Sequence, residues 1–218
     1  MSKRLSKGFL FLPFSLSGIF LAVNVAAQEA GPEQLVQKVT EDVLAGIKSD
    51  KQLAAGDRQK ALKLAEEKVL PHIDFEHAVR LAVGRAWRHA TPEQKKQLST
   101  EFRKMLVRIY SNAMEPYQGQ TLKVLPSRAG KQDPEDTTVR AQFVRAGGQP
   151  LPLEFHARKT DSGWKISDIA VEGVSLVLTY RSEFDAVVKQ QGVDGMIKTL
   201  AQKNTPASAS VGSSRKKQ

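Results

Sequence analysis

The side chains of this 218-residue chain that could carry chemistry are few and widely spaced. His72, His77, His89 and His156 fall in no metal-ligand spacing, and there is no cysteine to supply a thiolate, so no metal or cofactor site is expected. The serines form no nucleophile elbow, and Gly147-Gly148 is too short to cradle a phosphate. Paired carboxylates would need an acid on the apolar face of a strand, and those positions hold Val, Ala, Phe and Leu. Asp168 is the one acid near such a face, with Tyr110 or Tyr180 as a conceivable proton partner. The simpler reading has Asp168 facing solvent or stabilising a bend, and no catalytic residue is expected. Arg80, Arg85 and Trp87 admit two readings: a surface for a lipid headgroup or partner, or arginines spent on helix carbonyls with Trp87 plugging a junction.

The elements around these residues divide into a helical half and a strand half. Pro32 opens a helix with Val36, Val39, Val43 and Ile47 on one face. A second runs from Asp57 to Leu70, where Pro71 stops it, and a third follows an Asp74 cap to about Gly84. Thr91-Pro92-Glu93-Gln94 is a capping box that opens a helix running to about Tyr117. That helix carries a core stripe at Leu98, Phe102, Met105, Leu106 and Ile109, and a second apolar arc at Val107, Tyr110, Met114 and Tyr117. Helical spacing then gives way to alternation: strands are expected around Leu122 and Val124, over 139–143, over 151–157, and from Trp164 to Val171 with a bulge at Ser167-Asp168. Gly173 is expected to turn the last strand directly into a helix capped by Ser175, broken near Gly192 and Gly195, and ending near Leu200. The fold class is therefore α+β, a four-stranded antiparallel meander with about six helices.

Residues 1–27 read as a signal peptide: Lys3, Arg4 and Lys7, an apolar run from Phe9 to Val23, then Val25-Ala26-Ala27. One domain is expected over 28–202, and 203–218 reads as a disordered basic tail. Three of the ten net positive charges lie in the leader and three in Arg215, Lys216 and Lys217, leaving +4. So mild an excess fits anionic lipid or an acidic partner and argues against nucleic acid. A soluble, monomeric envelope protein held together by its core is expected.

The runs RLAVGRAWRHATPEQKKQLSTEFRKMLVRIYSNAM, WKISDIAVEGVSLVLTYRSEF and GVDGMI resemble the MlaC family of periplasmic phospholipid-binding proteins, also called the toluene-tolerance auxiliary family. The resemblance covers about Pro32 to Leu200. It implies a cone of curved sheet closed by helices around an apolar cavity that holds acyl chains. It implies a periplasmic shuttle that moves phospholipid between the membranes and maintains outer-membrane lipid asymmetry. The implied partners are an inner-membrane ABC-transporter complex carrying an MCE-type ring and an outer-membrane lipoprotein-porin complex.

Alternation and helix angle place the cavity lining, and none of these positions is taken from the family. The sheet would contribute Val139, Ala141, Phe143, Leu151, Leu153, Phe155, Ile169 and Val171. The helices would contribute Val107, Tyr110, Met114, Val174, Leu178 and Tyr180, with the two tyrosine hydroxyls near the mouth. Exposing two acyl chains of about 30 methylenes at ~0.8 kcal/mol each would cost on the order of 25 kcal/mol, so a shallow groove would not suffice. The alternatives are a periplasmic enzyme acting on a hydrophobic small molecule, which would depend on Asp168, and an adaptor that binds polypeptide on exposed apolar patches.

Overall fold

The computed structural model describes residues 31–112, 116–126, 133, 135–145 and 147–205. The signal peptide, the tail from residue 206 and Met114 lie outside the described residues. Six α-helices, α1 (Pro32–Ser49), α2 (Lys51–Ala54), α3 (Arg58–Lys68), α4 (Phe75–Val83), α5 (Pro92–Asn112) and α6 (Arg181–Asn204), accompany five strands among these residues. The strands are β1 (Thr121–Val124), β2 (Asp136–Val144), β3 (Leu151–Thr160), β4 (Gly163–Val171) and β5 (Val174–Ser175). They form an open antiparallel sheet in the order β1-β2-β3-β4-β5.

The local signals act where the sequence puts them. Asp57 and Asp74 cap α3 and α4 through backbone N–H groups of the first turn, and Thr91 and Gln94 exchange the two bonds of a capping box. The register of β3 on β4 shifts between His156 and Ala157, which leaves Ser167 as the extra residue of the expected bulge. Gly192, at φ 69°, breaks α6 as anticipated, and α6 continues through Lys203 and Asn204.

Two expectations fail for identifiable reasons. The fourth strand does not turn into a helix. Glu172 and Gly173, at φ 51° and 80°, form a two-residue turn with both centres left-handed, and this turn pairs Val171 with Val174 and adds a fifth strand. Ser175 does accept a hydrogen bond from Leu178 N at 2.8 Å, but the turn it caps is a short 3-10 helix, Leu178–Tyr180, and α6 starts only at Arg181. Likewise the long helix does not reach Tyr117. Pro116 cannot continue a helical ladder, and Tyr117 N donates to Ala54 O instead.

Two apolar clusters result. The helical one joins Val79 and Ala82 of α4, Leu98, Phe102 and Met105 of α5, and Phe184, Met196 and Leu200 of α6. The sheet cluster joins Val36 of α1 with Val139, Ala157 and Ile166. Ile73, in the link between α3 and α4, bridges to Ile166, and Asp74 N donates to Ile166 O at 2.8 Å, tying the helical half to the sheet.

Candidate functional site

A pocket of about 420 Å³ lies at the seam between the two clusters. One wall is the face of α3 with Ala61, Leu62, Ala65 and Val69. Small side chains at i and i+4 hold that face back from its neighbours. Leu106 and Val107 of α5 form the opposite wall, Phe75 and Ala78 of α4 the back, and Ile166 and Ile169 of β4 the sheet side. Leu176 and Val177, just after β5, complete it. The second apolar arc of α5 thus has a physical reason. Phe102 and Met105 enter the helical core while Val107 faces the pocket.

The only polar side chains in this lining belong to Ser167 and Asp168, and their bonds run into the fold. Ser167 Oγ donates to His156 O at 3.2 Å. Asp168 is only 5% exposed; its Oδ1 accepts from Ile169 N at 2.8 Å and Val177 N at 3.1 Å, and its Oδ2 from Ser175 Oγ. The residue is therefore buried and not solvent-facing, and it fastens the bulge to the segment beyond β5. An apolar wall with its few polar atoms engaged offers water little to bond and suits an apolar ligand.

Nearby titratable groups lie behind this wall. Burial, aided by Arg80 and Arg158, lowers the His77 pKa from its ordinary value; burial and Lys165 do the same for His72. Asp74 joins α4 to the sheet through Arg158 Nη1 at 3.2 Å. No three or more His, Asp or Glu residues are grouped to hold a metal ion among the described residues.

Of the residues singled out by sequence, Val107 and Ile169 line this pocket. Val139 and Ala141 are buried on the same sheet face, Val139 against Val36. Phe155 pairs with Ile169, Leu153 with Ala141 and Val171, and Leu151 with Phe143, so these half-buried side chains continue the sheet face away from the pocket. The ring of Phe143 carries the Arg145 guanidinium at 5.8 Å. Val174 and Leu178 are 61% and 42% exposed, flanking the lining pair Leu176 and Val177. Tyr180 sits in the helical core, stacked on Phe184 at 5.7 Å and edge-on to Phe102 at 6.0 Å, because the 3-10 turn changes the phase that a continuous helix would have had. The side chain of Tyr110 and the whole of Met114 lie outside the described residues. The α3 wall, Phe75, Ala78, Leu176 and Val177 were missed; the Ala61/Ala65 spacing with Leu62 and Val69 was the available signal.

Known proteins resemble this chain along most of its length. The "Intermembrane phospholipid transport system binding protein MlaC" of Haemophilus influenzae is 24% identical over 202 residues, 91% of this chain and 94% of that protein. The "Toluene tolerance protein ttg2D" of Pseudomonas putida is 24% identical over 180 residues, 82% of each. Among solved structures, the phospholipid-binding protein from Ralstonia solanacearum, in complex with a phospholipid, is 35% identical with a TM-score of 0.71, covering 81% of this chain and 97% of its own. With the MlaC protein profile matching residues 37–202, the chain belongs to the MlaC family.

Proposed function

We propose that this protein binds a phospholipid with its acyl chains in the seam pocket and carries it through the periplasm between the inner and outer membranes. The observation that carries this reading is the pocket itself, an apolar volume between two cores whose polar lining atoms are already bonded. Its size of about 420 Å³ falls within the ~300–1,000 Å³ typical of small-ligand sites. The phospholipid held by the Ralstonia solanacearum protein and the transport name of the Haemophilus influenzae protein support it. Both names describe binding or transport and neither an enzymatic reaction.

One acyl chain lies against Val107 and Ile169; Phe155, Leu153 and Val171 extend the same sheet face outward. Cargo is exchanged with an inner-membrane ABC-transporter complex carrying an MCE-type ring and with an outer-membrane lipoprotein-porin complex. A carrier must release what it binds, so docking has to bias an affinity close to that of the membranes themselves. No described helix is long and apolar enough to cross a membrane.

The test is mass spectrometry of the organic extract from the protein purified out of a bacterial periplasm. Near-stoichiometric phospholipid is expected. A folded protein yielding no lipid would overturn the proposal.

A further inference from the structure

The run GRAWR, prominent in the sequence, takes no part in the pocket. It forms a 3-10 helix, Gly84–Arg88, and Trp87 is buried in the helical core, which settles its role as a plug. The arginines around it are not spent on helix carbonyls. Arg80, Arg85, Arg88 and Arg181 are exposed, and with Lys95 they line a concave groove of about 630 Å³. Arg80 donates to His77 Nδ1 at 2.8 Å, and Lys95 lies over the Trp87 ring at 5.6 Å. Arg85, Arg88 and Arg181 have no acidic partner among the described residues.

Backbone geometry holds the charges together. Gly84 has φ 65°, and a Cβ there would lie 3.3 Å from Arg181 Nη2, so glycine lets the guanidinium of α6 rest against the end of α4. On the far side of Gly84 a second groove, of about 640 Å³, again includes Arg85 and Arg181. Its one acid, Asp185, is paired with Lys189 at 2.6 Å. Five cations thus converge on a concave surface that contains no carboxylate of its own.

We infer that this arginine groove is a docking site for an acidic segment of a partner protein, separate from the lipid pocket. Like charges gathered without counter-charges repel one another, and a partner's carboxylates relieve that repulsion. Guanidinium forks fit carboxylates in bidentate pairs. Concavity favours a protruding acidic segment over a flat bilayer. The exposed large apolar side chains among the described residues, Val174 and Leu178, are absent from the groove, whereas a membrane-seated surface would present such groups beside its charges. The inference does not depend on what the seam pocket holds.

The experiment titrates the full mature protein with oligoglutamate and, separately, with phosphatidylglycerol vesicles. It compares wild type, R85E/R88E, and a control of equal charge change on a different face, K51E/K68E. Oligoglutamate affinity should fall roughly tenfold in R85E/R88E and no more than about twofold in the control. The arginine Nε–H resonances of Arg85, Arg88 and Arg181 should shift in the wild type. Co-purified phospholipid and the thermal midpoint should not change, and R85Q/R88Q replaces the reversal if it folds poorly. Equal losses in both double variants, or binding to vesicles without binding to oligoglutamate, would overturn the inference. Loss of co-purified lipid from the wild type would count against the carrier reading alone.

Discussion

Ser175 Oγ donates to the buried carboxylate of Asp168 across the β4–β5 turn, and that carboxylate also accepts the backbone N–H groups of Ile169 and Val177. Bulge, hairpin and the far wall of the pocket are therefore fixed through one side chain. Asp168→Ala strands donors in a buried site and should destabilise the fold by about 3 kcal/mol, while Ser175→Ala should cost ~1 kcal/mol. Urea unfolding measures both. A cost for Asp168→Ala no larger than that for Ser175→Ala would contradict the anchoring role.

Ala65→Phe places a ring in the seam pocket from the α3 wall. It should reduce co-purified phospholipid while leaving the unfolding free energy within ~1 kcal/mol. Leu153→Glu and Val171→Glu test the sheet face beyond the pocket, and each should lower lipid retention more than stability. Retention of lipid in these two, with loss in Ala65→Phe, would confine the acyl chains to the seam.

Glu172 occupies the left-handed region at φ 51° in a turn whose second residue is already glycine. Asparagine tolerates that conformation better, so Glu172→Asn should raise stability by ~1 kcal/mol. A thermal midpoint that fell would show that the glutamate makes a compensating interaction.

The His77 pKa is lowered from its ordinary value of 6.5, chiefly by burial and then by Arg80 and Arg158, while Asp74 and Asp136 act in the opposite direction. The unfolded chain therefore binds the proton more readily than the fold does. His77 contributes full stability above pH 6.5, and this is lost as pH falls from there through the lower folded-state value. His72 acts with the same sign. Unfolding free energy measured between neutral and mildly acidic pH should slope less steeply in His77→Gln than in wild type. An unchanged slope would assign the pH dependence elsewhere.

Phe184 is fully buried where α6 meets α5, edge-on to Phe102 at 5.8 Å and stacked on Tyr180. Phe184→Ala should cost about 4 kcal/mol in chemical denaturation, against ~1 kcal/mol for an exposed site. A small cost would mean that the helical core closes over the gap.

The sequence by itself determined what depends on nearest neighbours along the chain. The Thr91-Gln94 capping box, the Asp57 and Asp74 caps, the break at Gly192 and the bulge beside Asp168 are local events whose hydrogen bonds span a few residues. Alternation along β2, β3 and β4 likewise separated the two sheet faces, because strand periodicity assigns faces without reference to any partner. The runs around GRAWR and EGVSL were enough to give the family. Tertiary structure decided the rest. Alternation marks every inward residue of a strand alike, yet α1 covers Val139 while Ile169 faces the open seam, and only the packing of α1 and α3 separates the two. The paired left-handed residues Glu172 and Gly173 converted an expected helix start into a hairpin, moving Tyr180 into the helical core and exposing Leu178. The arginine groove unites α4, the GRAWR turn, the start of α5 and the start of α6, and charges so distant in sequence meet only when the chain folds.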